Sequence, residues 1–208
     1  MQSFKSHRGI LATLNRANID TDQIIAKQFL KSIKRTGYGE NLFFDWRYLP
    51  DGSSNPDFEL NAPRFHNASI LVTGNNFGCG SSREHAVWAV VQYGFSTVIA
   101  PKRGDIPAFA DIFYNNSIKN GLLCISLGEK EVDEIFQMVD RYKGLEATIN
   151  LEEQRITLHI PDVEEISFHF DIDAAVKNHL VRGLDDIGLT LQHEKEITTF
   201  EQKHSAQL

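Results

Sequence analysis

Three short apolar runs, Ser69-Ile70-Leu71-Val72-Thr73, Thr97-Val98-Ile99-Ala100 and Leu122-Leu123-Cys124-Ile125, are each followed by a stretch with helical periodicity, at 82–93, about 107–119 and about 130–141. In the last of these Val132, Ile135, Phe136 and Val139 fall on one helical face. Regular β-α alternation calls for parallel strands covered by helices. The period then changes. Residues 148–151, 155–160 and 166–170 read as short strands with turns between them, hence antiparallel, and helices at 172–181 and about 185–200 close the chain. Near the start, 9–14 reads as a strand and a helix is expected from Asp20, with Gln23 near a capping-box position and Ile24, Ile25, Gln28 and Phe29 at helical spacing. The fold class expected is α/β, parallel in its central portion with additional antiparallel strands.

Between 34 and 68 this patterning dissolves into a long loop region punctuated by Gly37, Gly39, Pro50, Gly52, Pro56 and Pro63. Loops of that length are uncommon in compact domains and tend to be functional or mobile. The 208 residues suit one domain spanning 1–208, with 201–208 expected to fray. A net charge of −7 disfavours nucleic acid and anionic membrane surfaces as partners. No run approaches the roughly 20 apolar residues of a membrane span, and residues 1–8 lack the apolar stretch of a signal peptide. The two cysteines, Cys79 and Cys124, lie outside any zinc or redox spacing and fit a reducing cytoplasm.

The chemistry concentrates in Gly78-Cys79-Gly80-Ser81-Ser82-Arg83-Glu84-His85, at a strand-to-helix turn. Helix N-termini present unpaired N–H groups and a positive dipole end, which suits a carboxylate or phosphate. Arg83 adds a fork matched to carboxylates. This is neither a dinucleotide fingerprint, since Arg83 stands where a third glycine is needed, nor a phosphate loop, since no Gly-Lys-Ser/Thr follows. The nucleophile elbow of lipases is also absent, because Glu84 takes its final glycine position. His85 lies four residues after Ser81, but spacing indicates no Asp–His pair for a hydrolytic triad. As local physics, Ser81 is either a helix cap or part of an anion site. Two other segments have plain readings when taken alone: 18–23 as an acidic helix start, and 34–39 as a solvated basic loop. Arg103-Gly104-Asp105 is treated as a chance tripeptide.

Taken together, Asn18-Ile19-Asp20-Thr21-Asp22-Gln23-Ile24-Ile25, Lys34-Arg35-Thr36-Gly37, Asn76 to His85, Phe109-Ala110-Asp111-Ile112-Phe113-Tyr114-Asn115-Asn116 and Gly183 to Leu191 resemble, in this order, the small subunits of 3-isopropylmalate dehydratase in the aconitase superfamily. The resemblance implies a swivelling β/β/α three-layer domain. It also implies a hydro-lyase of leucine biosynthesis that isomerises 2-isopropylmalate and 3-isopropylmalate through 2-isopropylmaleate. A large subunit would form a heterodimer with this chain and carry a [4Fe–4S] cluster, so no metal or cofactor is expected here. Ser81 is implied as the catalytic base, and Ser82, Arg83, Arg35, Thr36 and Asp22 as substrate-binding residues. Tyr38, Leu42 and Phe43, in the 34–44 loop, are expected to sense the apolar branch of the substrate.

The chain departs from the family pattern in three places: Lys102 to Ala108 replaces a single small residue, and Val87 and Cys124 stand where prolines are common. Two rival readings are a subunit of a related hydro-lyase of homoaconitate or citramalate type, and a non-catalytic anion-binding domain.

Overall fold

β1 (Ser6–Leu14) is the strand on which the sheet changes from one pairing pattern to the other. Its first half runs antiparallel to β5 (Glu146–Asn150), with Ser6 opposite Asn150 and Ile10 opposite Glu146. Its second half runs parallel to β2 (Ile70–Thr73), with Leu11 opposite Ile70 and Leu14 opposite Thr73. β3 (Thr97–Lys102) and β4 (Leu123–Gly128) extend the parallel side. β6 (Arg155–His159) and β7 (Ile166–His169) extend the antiparallel side. The result is a seven-stranded mixed sheet in the order β4-β3-β2-β1-β5-β6-β7. The computed structural model describes residues 1–31, 34–81, 83–161, 165–183, 186–191 and 193–204.

Burial follows the pairing. All four residues of β2 and the first five of β3 are buried, as expected for parallel strands covered on both faces. β5 and β6 alternate buried and partly exposed positions, the mark of strands with one covered face. The helices that cover the parallel half are α3 (Glu84–Tyr93), α4 (Asp111–Asn120) and α5 (Glu129–Arg141). α5 crosses β1 to β4, while α3 packs against α4. The apolar face expected on α5 is buried at Val132, Ile135, Phe136 and Val139. The α/β class and the switch from parallel to antiparallel strands are as the sequence predicts.

Three local outcomes differ from the sequence reading. The capping box at Asp20 is present, with Asp20 Oδ1 accepting from Gln23 N–H at 2.8 Å and Gln23 Oε1 accepting from Asp20 N–H at 2.9 Å. Yet α1 (Thr21–Ile24) ends after four residues, because Ile25 turns extended at φ −139° and bridges Leu42. Between 34 and 68 lie short helical turns, among them α2 (Phe44–Arg47), and seven core residues: Tyr38, Leu42, Phe43, Phe58, Leu60, Phe65 and Ala68. After α6 (Ala174–Arg182), the last helical stretch is two helices, α7 (Asp186–Leu191) and α8 (Glu194–His204), rather than one.

Candidate active site

The segments leaving β1 and β2 run side by side. Asn18 N–H donates to Asn75 O at 2.9 Å, Gly78 N–H to Ile19 O at 2.8 Å and Thr21 N–H to Cys79 O at 3.0 Å. Thr21 Oγ1 then donates to the Ser81 carbonyl at 3.0 Å. Neighbouring parallel strands are thus continued by two stitched loops at their carboxyl ends, where open α/β sheets bind ligands. The turn depends on backbone that other residues resist. Gly78 has φ +77°, and a β carbon there would lie 2.3 Å from Phe113 Cγ. Gly80 has φ +81° beside Asp20. Asn18 and Asn76 both take positive φ, and their side chains are joined at 2.8 Å.

Ser81 is exposed at this turn. It does not cap α3. The helix begins at Glu84, and Arg83 occupies the cap position with extended backbone and a side chain that makes no capping hydrogen bond. Sequence reading starts the helix two residues early because hydroxyls are the usual caps. The N-terminus of α3 lies at the end of the turn that carries Ser81, with the first-turn amide of Ala86 already donating to Arg83 O at 3.1 Å. Ser82 lies outside the described residues.

Arg83 Nη1 is 3.1 Å from Asp22 Oδ1, and Lys27 Nζ is 3.2 Å from Asp22 Oδ2. One carboxylate therefore holds two cations, and Arg83 remains 38 % exposed for other contacts. The expected residues Asp22, Ser81 and Arg83 come together here. Lys27 and Thr21 are missed by sequence reasoning. Lys27 belongs to no motif, and Thr21 is one hydroxyl within an acidic helix start.

Arg35 and Thr36 lie on an exposed loop that docks farther along α3. The Arg35 guanidinium carbon is 5.9 Å from the centre of the Trp88 ring. Tyr38, Leu42 and Phe43, expected to sense a substrate branch, are instead core residues at 2 %, 0 % and 0 % exposure. Tyr38 packs edge-on against His85, Leu42 bridges Ile25, and Phe43 stacks on Trp46. Their burial follows from their size, since this stretch covers α3 and the sheet margin with its large side chains. His85 packs in the same cluster, 4.7 Å from Trp88 between ring centres.

The 102–108 stretch forms a tight hairpin, with Arg103 and Ile106 exchanging both backbone hydrogen bonds around Gly104 and Asp105. Its return limb is tied to the turn, as Asn76 N–H donates to Pro107 O at 2.9 Å and Phe77 N–H to Ala108 O at 3.0 Å. Both cysteines are free. Burial pushes the Cys124 thiol up to about 12. Burial and the Asp20 carboxylate raise that of Cys79. Among the described residues, no cluster of three or more His, Cys, Asp or Glu is placed to hold a metal ion, and no helix is long and apolar enough to cross a membrane.

Comparison with known proteins agrees with this geometry. The family described as aconitase C-terminal domain matches residues 1–130, which places the fold and its turn in that class. The C-terminal domain of the 3-isopropylmalate dehydratase small subunit matches 186–207. The chain is 55% identical over 207 residues to the 3-isopropylmalate dehydratase small subunit of Desulforapulum autotrophicum, covering 97% of this chain and 95% of that one. It is 54% identical over 203 residues to that of Rhodopirellula baltica, covering 97% and 98%. A crystal structure of 3-isopropylmalate dehydratase from Methanocaldococcus jannaschii shares the fold with a TM-score of 0.62 at 23% identity, over 94% of this chain and 99% of that one. The chain belongs to the family of 3-isopropylmalate dehydratase small subunits.

Proposed function

We propose that this chain is the small subunit of a cytoplasmic hydro-lyase that interconverts 2-isopropylmalate and 3-isopropylmalate through 2-isopropylmaleate, in leucine biosynthesis, together with a large subunit. One observation carries the site assignment. An exposed serine, on a glycine turn at the carboxyl ends of two parallel strands, stands two residues from an arginine that an aspartate holds. Ser81 is the base, accepting as alkoxide the proton of the substrate carbon. Arg83 binds a substrate carboxylate through its fork. An alkoxide is unstable in water, and the positive dipole end of α3 and the Arg83 charge are the features that lower its energy. Asp22 holds Arg83 in place. Arg35 and Thr36 grip the second carboxylate, and Ser82 adds a hydrogen bond.

Departure of the substrate hydroxyl calls for a Lewis acid. The donors of this chain do not fit an iron–sulfur cluster. Such clusters are held by three or four cysteine thiolates, whereas this chain has two cysteines, far apart in sequence, of which Cys124 is buried. A [4Fe–4S] cluster is therefore assigned to the large subunit.

The test is Ser81→Ala in the assembled two-subunit enzyme, followed by the absorbance of the unsaturated intermediate. Loss of at least ~10²–10³ in turnover with intact assembly is expected, the scale seen for groups that stabilise developing charge. Near-normal turnover removes Ser81 from the base role. Faster turnover of homoaconitate or citramalate than of isopropylmalate moves the chain to a related hydro-lyase.

A further inference from the structure

One side chain of α3, Gln92, binds the main chain of the loop that carries Arg35. Gln92 Nε2 donates to the Arg35 carbonyl at 2.7 Å, and Gln92 Oε1 accepts from Tyr38 N–H at 2.9 Å. A single amide thus grips the loop main chain on both sides of Thr36 and Gly37. Gly39 follows, with no room for a side chain between loop and helix. A β carbon there would lie 2.5 Å from the Gln92 carbonyl carbon, so loop backbone rests directly on helix backbone. His85, Trp88 and Gln92 stand at i, i+3 and i+7, one stripe of the helix. The Tyr38 ring packs 5.2 Å from His85 and 5.6 Å from Trp88 between centres. The helix that presents Arg83 at its cap therefore also carries the Arg35 loop along its side.

We infer that Gln92 is a positioning residue that fixes the Arg35 loop relative to Arg83 and so sets the spacing of two cationic grips for a dicarboxylate. The inference rests on the reading of Arg35 as a substrate-binding residue. Gln92 is itself exposed and bonds only to loop main chain in these two contacts, so its amide governs where the loop lies rather than whether the core forms.

The experiment uses the assembled enzyme. Gln92→Leu keeps the bulk and removes both hydrogen bonds. Gln92→Glu keeps the acceptor for Tyr38 N–H and loses the donor to Arg35. KM for isopropylmalate is expected to rise about tenfold in Gln92→Leu and less in Gln92→Glu, the scale of one or two modest hydrogen bonds. kcat is expected to stay within about twofold, because a carboxylate grip acts on ground and transition states alike. The double variant Arg35→Ala/Gln92→Leu is expected to show the KM of Arg35→Ala alone, since residues acting through one another are not additive. Additive increases overturn the inference, as does an unchanged KM in Gln92→Leu where Arg35→Ala raises it. An unchanged KM in Arg35→Ala removes Arg35 from substrate binding. That outcome overturns the underlying reading, and this inference with it, and is recognised without any change at Gln92.

Discussion

Asp22 Oδ1 lies 3.1 Å from Arg83 Nη1, joining the first helical turn after β1 to the cap position of α3. The two residues are 61 positions apart in sequence and meet because β1 and β2 are neighbouring parallel strands. The contact fixes the guanidinium while leaving over a third of the Arg83 side chain exposed.

Asp22→Asn is therefore expected to separate activity from stability. Both partners are more than a third exposed, so solvent screening limits the pair to less than about 1 kcal/mol of stability. Loss of aim at Arg83 is expected to cost roughly 10–100-fold in kcat/KM, because misplacement of a positioning group is expensive in rate. Thermal unfolding of the variant beside kinetics of the assembled enzyme checks both halves.

Gly78→Ala and Gly52→Ala form a second, paired test. Both glycines have positive φ, but only at Gly78 is the space for a β carbon filled, by Phe113 at 2.3 Å. Gly52→Ala is expected to cost about 1–2 kcal/mol, the left-handed backbone penalty alone. Gly78→Ala is expected to cost about 2–5 kcal/mol, since overpacking adds to that penalty. Urea midpoints of the two variants give the difference, and equal midpoints would refute the steric account of the turn.

Thiol chemistry supplies a third. With its thiol pushed up to about 12, Cys124 is expected to resist iodoacetamide in the native chain at pH 8 and to react only on unfolding. Cys79, partly exposed but also raised, is expected to react more slowly than a free thiol. Mass spectrometry of the alkylated native protein reads both.

The fourth concerns pH. Burial lowers the pKa of His7, whose Nε2 lies 2.7 Å from Ser69 Oγ. Protonation is then easier in the unfolded chain than in the fold. The stability associated with a neutral His7 is complete above about 6.5, the ordinary imidazole value, and is lost as pH falls from there toward the lower folded value. His7→Asn is expected to flatten the fall in urea midpoint between pH 7.5 and 5.5. An unchanged slope would show that other groups set it.

Much of the fold is legible along the chain because it is locally encoded. The β-α alternation, the shift to short antiparallel strands and the apolar face of α5 are patterns of period, and each is present. The Asp20 capping box is also local, and it forms. The length of that helix is not local. It ends where Ile25 pairs with Leu42, a contact made across a stretch that has no period to read. Tyr38, Leu42 and Phe43 are expected, under the family resemblance, to sense the apolar branch of the substrate, and burial gives them to the core instead. Gln92 carries no motif, and only the path of the 34–38 loop over α3 reveals its two bonds.

By itself the sequence determined the α/β class and the glycine-rich turn with its serine and arginine, because backbone preference and hydrophobic period act between near neighbours. Tertiary structure alone decided that β1 lies between the two halves of the sheet and pairs with each through a different half of its length. It also decided that Asp22 reaches Arg83 and that Gln92 holds the Arg35 loop. These outcomes depend on which strand edges meet and which surfaces bury one another. That competition is settled by contacts between residues far apart in the chain.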